Sequence, residues 1–240
     1  MNKIETENIY VLGDTHTLDF ARLLRHYEAK DFVLIHVGDV GCGFHTKERD
    51  HRDVAVLEEY CAKHNGIILA QRGNHDDPSW FVEDSEFSTE HVKFVPDYSY
   101  YDINGKIYLF VGGATSIDRL WRIQQEKKCG SVSYWKDEKF VLREDYESLP
   151  QCDILITHSS PISAYPLDGL SKIKYFLEND QPLKGELISE REDIDKLYKV
   201  VNPSILLHGH FHESVSEYVA GTWQRCLDIN ELISLTNYLQ

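Results

Sequence analysis

Asp14 with His16, Asp39, the run Gly73-Asn74-His75-Asp76, His158, and His210 with His212 are the residues whose types and spacing point to chemistry. Asp and Asn offer hard oxygen donors and His a borderline nitrogen donor. That set suits divalent Mn, Fe, Zn or Ni, and soft thiolate ligands are missing from it. Each donor follows a short apolar run. Asp14 closes "IYVLGD", Asp39 closes "FVLIHVGD", Asn74 closes "GIILAQRGN", His158 follows "DILIT" and His210 follows "SILLHG". Separate predicted strands thus deliver donors at their carboxyl ends, where open α/β sheets bind ligands. His208, His210 and His212 recur at a period of two and share one face if the chain stays extended there.

The elements that must hold these donors alternate between strand and helix. Between the first two strands, Thr17 leads into a predicted helix carrying Leu18, Ala21 and Leu24. Between the second and third, Val54, Leu57, Tyr60 and Cys61 mark one helical face. Such alternation argues for an α/β sheet with right-handed crossovers. Residues 93–113 read as β-rich, with Asn104-Gly105 a hairpin turn. Residues 115–150 mix helix and loop signals, and residues 159–185 read as a long loop with a short helix. Ser189 and Glu192 have capping-box spacing ahead of an amphipathic face of Ile194, Leu197, Tyr198 and Val201, which stops before Pro203. Further strands are predicted in "SVSEYVAGTWQRCLDI". No repeat, low-complexity tract or linker interrupts the chain, so residues 1–240 read as one domain.

Composition narrows the function classes. The 25 basic against 40 acidic side chains give a net charge of −15, which argues against an extensive nucleic-acid surface. A small phosphate substrate stays compatible, because bound cations reverse the potential locally. No apolar run is long enough for a bilayer and the first residues lack a signal-peptide core, so a cytoplasmic protein is expected. The five cysteines follow no pairing pattern and are expected to be reduced. Composition leaves the oligomeric state open.

Taken singly, Asp14 and Asp39 also read as helix N-caps, although His16 makes capping alone insufficient at the first site, and Asn74 reads as a turn residue. Taken in order, "GDTH", "GDVG", "GNHD", "THSS" and "GHFH" resemble the calcineurin-like metallophosphoesterase superfamily, from Asp14 to His212. The resemblance implies an α/β fold, a four-layer α-β-β-α sandwich with two mixed β-sheets. It also implies two divalent cations, manganese first, with Fe, Zn or Ni as alternatives. Asp14, His16 and His212 would complete one metal shell and Asn74, His158 and His210 the other, with Asp39 as the bridge. His75 would protonate the leaving oxygen or steady the transition state, with Asp76 orienting it. Physically, two cations about 3.5–4 Å apart neutralise a phosphoester's negative oxygens and supply a hydroxide nucleophile. The implied activity is hydrolysis of a small phosphomonoester or phosphodiester; the alternative is a scaffold on the same fold without catalysis, against which all the motif residues stand. "GDVGCGFH" departs from the longer second motif of related protein phosphatases.

Three arginines are candidates for phosphate: Arg72, just before "GNHD", and Arg119 and Arg122 in "GGATSIDRLWR". A guanidinium fork fits phosphate oxygens, but each reads as well as a structural partner of nearby acids. Residues 115–150 and 160–186 are the expected specificity walls, where Trp121, Tyr134, Trp135 and Tyr165 either stack a base or pack. Cys42 reads as a small apolar group, His36 as a strand residue, and His45, His51, His64 and His91 as surface.

Overall fold

Apolar runs of three to six residues form twelve strands in the computed structural model, which describes residues 2–166 and 169–236. They are β1 (Asn2–Ile4), β2 (Asn8–Leu12), β3 (Phe32–His36), β4 (Gly66–Ala70), β5 (Val92–Phe94) and β6 (Ser99–Ile103), then β7 (Lys106–Val111), β8 (Ile154–Thr157), β9 (Ile205–His208), β10 (Val215–Val219), β11 (Thr222–Cys226) and β12 (Leu232–Ser234). The helices are α1 (Ala21–His26), α2 (Lys47–His64), α3 (Arg119–Cys129), α4 (Gly169–Lys172), α5 (Lys174–Asn179) and α6 (Leu183–Val201). One sheet has the order β12-β2-β3-β4-β5 and the other β1-β6-β7-β8-β9-β11-β10; both mix parallel and antiparallel pairs.

Strands β3, β8 and β9 are buried at every position because both faces of each sheet are covered. Side-chain alternation sorts them into layers. Val33 and Ile35 meet Phe110, Ile154, Ile156 and Leu207 between the sheets. Leu34 and Ile68 face α1 and α2, packing with Leu24, Val54 and Leu57. Leu109, Leu155 and Leu206 face α6, packing with Ile194, Leu197 and Val201. Three apolar interfaces therefore separate helix, sheet, sheet and helix, the expected four layers.

Local outcomes differ at two helices. The first helix begins at Ala21 rather than after Thr17, because the backbone N–H groups of Thr15 and His16 donate to the Asp39 carbonyl and hold that stretch in a turn. Leu18 and Phe20 still bury. Helix α6 begins at Leu183, so Ser189 is mid-helix and no capping box exists. Leu183, Leu187 and Glu190 extend the buried stripe upstream of Ile194, and tertiary burial outweighs the local capping preference. The Asn104-Gly105 hairpin forms as expected, with φ of 54° and 77° and Ile103 paired to Lys106. All five cysteines are free. No described helix is long and apolar enough to cross a membrane.

Candidate metal centre

The carboxyl ends of β2, β3 and β4 from one sheet and β8 and β9 from the other converge on a single floor. Four of the motif residues there, His16, Asp39, His210 and His212, have left-handed backbones with φ of 51°, 54°, 68° and 52°. Each costs on the order of 1 kcal/mol and persists only where the surroundings impose it. Here the imposition is visible. The Asp39 carbonyl accepts from Thr15 and His16 at 3.0 and 2.8 Å. The His210 N–H donates to Asp14 Oδ2 at 3.0 Å. Gly73 and Gly209 serve by lacking a side chain: a Cβ would fall 2.1 Å from Asp39 Oδ1 and from Asp14 Oδ1 respectively.

This backbone also corrects the reading of the last motif. The chain is not extended past His208, so the three histidines do not share a face. His208 falls on the Leu206 side of β9, toward α6, and is buried; burial holds its imidazole down at about 3.

Asp14, His16, Asp39 and His212 can each place a ligand atom within 4.8 Å of the others. His212 Nε2 lies 3.2 Å from Asp14 Oδ2 and 3.3 Å from His16 Nε2, and His16 Nδ1 lies 3.9 Å from Asp39 Oδ2. The other Asp39 oxygen faces a different group. Asp39 Oδ1 is 3.2 Å from His158 Nε2, which is 3.1 Å from Asn74 Oδ1, and the His158 and His210 rings are 5.0 Å apart. His158 Nδ1 sits 2.9 Å from the Val37 carbonyl and donates to it, which leaves Nε2 toward Asn74 and Asp39.

The electrostatics fit a cation. Asp14 and Asp39 are 0% and 1% exposed, and among the described residues neither pairs with Lys or Arg, only with imidazoles and backbone N–H groups. Buried carboxylates are ordinarily paired or bind metal. Burial opposes charge on His158, but the Asp39 and Asp14 carboxylates overcome it and lift the imidazole to about 10. The Asp14 hydrogen bond likewise raises His212, whereas burial and His158 hold His210 well down.

His75 lines the cleft above this floor; its N–H donates to Asp39 Oδ1 at 2.7 Å and its ring is 4.8 Å from that of His16. Burial pushes its imidazole below the ordinary range, against the pull of Asp39 and with the push of Arg122. Asp76 does not orient it. The Asp76 carboxylate accepts N–H groups from Val40, Gly41, Cys42 and Gly73 at 3.2, 2.8, 3.3 and 2.7 Å. It fastens the loop after β3 to the loop after β4. Buried Cys42 packs beside it.

Arg72 and Arg119 have their guanidinium groups engaged within the protein, and Arg122 all of its nitrogens but a buried Nη2. Arg72 is buried, with Nε and Nη2 on Asp97 and with the Glu138 and Lys139 carbonyls at 2.8 and 3.0 Å. Arg119 forks onto Asp180 and also pairs with Glu186. Arg122 is 2% exposed and donates to the Asn74 carbonyl and to Ser116 Oγ, at 3.2 and 2.6 Å. That serine accepts from Asn74 Nδ2 at 2.9 Å and donates to Glu138. Ser116, Glu138 and Arg122 thus hold Asn74 from behind. The sequence carries no local signal for Ser116 or Glu138, which lie 42 and more residues from Asn74.

A cleft of about 380 Å³ opens from the floor. Asp39, Asn74, His75, His210 and His212 form its base, and Tyr165, α4, α5 and Phe211 form one wall. Of the other expected wall aromatics, Trp121 lies in an adjoining groove, Trp135 packs on Phe44 at 4.9 Å, and Tyr134 lies beside Arg122.

A family model described as calcineurin-like phosphoesterase matches residues 7–214. Among solved structures, the chain is similar to TT1561 of Thermus thermophilus, at 14% identity over 95% of this chain and 98% of that one, with a TM-score of 0.47. It is similar to phosphopantetheinyl hydrolase of Mycobacterium tuberculosis, at 14% identity over 96% and 92%, with a TM-score of 0.48. A third crystal structure shares 13% identity over 97% and 96%, with a TM-score of 0.52. No curated protein matches the sequence.

Proposed function

The chain belongs to the calcineurin-like phosphoesterase family, and from that premise we propose that residues 1–240 act as one domain that hydrolyses a phosphomonoester or phosphodiester with two divalent cations. The observation that carries the reading is Asp39. Its Oδ1 faces His158 and its Oδ2 faces His16, so one buried carboxylate stands between two donor groups. Asp14, His16 and His212 with Asp39 would hold one cation, and Asn74, His158 and His210 with Asp39 the other. Manganese suits this oxygen–nitrogen set, with Fe, Zn or Ni as alternatives. When bound, the cation pair neutralises phosphoryl charge and acidifies water.

The chain's own residues do the rest. The Val37 carbonyl fixes the His158 tautomer, and Ser116 with Arg122 fixes Asn74. His75 is the proton-handling group. Its backbone is tied to Asp39 and its ring lines the cleft, where a ring nitrogen would hold a proton for the departing ester oxygen.

The test pairs metal analysis of protein purified without chelator with assays on aryl phosphomonoester and phosphodiester substrates. The expected result is about two metals per chain and Mn-stimulated hydrolysis. His75→Ala should lose about 10²–10⁴-fold in kcat while keeping its metal. Loss of metal from that variant would make His75 a ligand instead, and metal-free, inactive wild-type protein would overturn the whole reading.

A further inference from the structure

The base of the cleft is polar, but its walls are not. Ile117, Leu170, Ile173, Phe176, Leu187 and Phe211 line it, from α4, α5, α6 and the flanking loops. Ile117 and Phe176 are shared with a neighbouring groove, which continues the apolar surface outward to Leu120, Trp121 and Tyr175. Those three side chains are 42%, 59% and 72% exposed and adjoin one another in that groove, a contiguous apolar patch rather than scattered single residues. An apolar path therefore runs from beside His75 to the outer surface.

The cations along that path are already engaged. Lys172 pairs with Glu213, which also accepts from the Tyr165 hydroxyl. Arg191 donates to the carbonyls of Ser160, Pro161, Ala164 and Pro166 at 2.8–3.2 Å, and its guanidinium lies 5.7 Å from the Phe211 ring centre. Arg119 is occupied as described above, and Arg122 is buried behind Asn74, outside the lining of the cleft. Apart from the Lys172–Glu213 pair and Arg191, the charged side chain left on the cleft walls is Asp118, an acid. Among the described residues the walls offer no free positive group to a second anionic group on a ligand.

Resting on the phosphoesterase reading above, we infer that the substrate is the phosphate ester of an apolar or aromatic alcohol that carries no further anionic group. The phosphoryl group sits at the base. The organic residue lies against Ile173, Phe176 and Phe211, and a residue longer than the cleft continues onto Trp121 and Tyr175. Burying apolar surface supplies affinity, while a carboxylate or second phosphate on that residue would lose its hydration and meet Asp118.

The experiment is a series of n-alkyl phosphates from ethyl to octyl, run as monoesters and as methyl diesters with Mn present, beside the ω-carboxyalkyl phosphates of matched length. KM is expected to fall about threefold per added methylene until the cleft is full, with the carboxylate-bearing members at least tenfold worse. Phe176→Ser and Ile173→Ser should flatten the series through KM, whereas Tyr218→Ser, outside the cleft on β10, should keep its slope. Hydrolysis with no dependence on chain length, or with preference for the carboxylate-bearing esters, overturns the inference and leaves the phosphoesterase reading standing. If no ester is hydrolysed, binding of n-alkyl phosphonates separates the two ideas. Affinity that rises with chain length supports the apolar subsite while the enzymatic reading fails, and flat or absent binding overturns both.

Discussion

In the floor of the cleft, Asp14, Asp39 and Asp76 are buried and each accepts backbone N–H groups from a neighbouring loop. The wall opposite comes from α4 and α5, helices of four and six residues, and α5 buries no residue of its own. The wall is tied down at its margins instead, by Arg119 on Asp180, by Arg191 on the loop before α4, and by Glu213 on Lys172. Chemistry on phosphorus requires donors placed to within a fraction of an ångström, so the floor is over-determined. Contact with an apolar group requires only shape and dehydration, so the wall needs no such network. On the proposed function the floor would serve any phosphoester, and selectivity would reside in the wall.

Several measurements would break or sharpen that contrast. The largest effect is expected from Asp39→Ala, which removes the carboxylate between the two donor groups. Activity should fall at least about 10³-fold with loss of metal, and retention of both metals would deny Asp39 its bridging place. Next is Gly209→Ala, because a Cβ there would lie 2.1 Å from Asp14 Oδ1, whereas a Cβ at Gly130 meets nothing within 4 Å. Gly209→Ala should lose metal and about 10²-fold in activity; Gly130→Ala, strained only by its φ of 70°, should cost about 1 kcal/mol of stability and no activity. Equal losses would show the floor to be no more crowded than the surface.

Asp76→Ala should cost roughly 3 kcal/mol, from N–H groups of two loops left without an acceptor, read as a lowered midpoint in urea. In hydrogen exchange, amides of α5 should exchange at least about 100-fold faster than those of Gly41, Cys42 and Gly73. Equal protection would remove the contrast between wall and floor.

The smallest expected effect concerns the wall's anchor. The Arg119 hydrogen bond, with help from Lys139, holds the Glu186 carboxyl at about 2, below its ordinary 4.5. A depressed carboxyl stabilises the folded state above its unfolded value and loses that contribution as pH falls. Stability should therefore drop between about pH 4.5 and 2, by about 1 kcal/mol after allowing for partial exposure. Arg119→Gln should remove most of that dependence.

The floor was legible in the sequence because each donor lies within a few residues of an apolar run, and a buried strand announces itself by composition. The arginines were not. Whether a guanidinium meets phosphate or a carboxylate depends on what the fold brings to it, and Asp97, Asp180 and Glu186 lie 25, 61 and 67 residues from their partners. Asp76 misled for a related reason. It adjoins His75 in sequence, yet backbone direction sends its carboxylate to Gly41. Helix α6 starts ahead of the capping pattern at Ser189 because Leu183 and Leu187 bury, which no local pattern reports. The apolar wall left little trace: Phe211 sits inside "GHFH", but Ile173 and Phe176 become neighbours of the motif residues only after folding.

One feature of the floor bears on how the two sheets move. The His158 ring from β8 meets the Val37 carbonyl after β3, and the His210 amide after β9 meets the Asp14 carboxylate after β2. These bonds cross from sheet to sheet and act as dowels, so neither slab can slide along the other without breaking both. The protein's own groups thus set the register of the layers. Stripping metal with a chelator should accordingly leave the radius of gyration in X-ray scattering unchanged, and the chain should reload at once when Mn is restored.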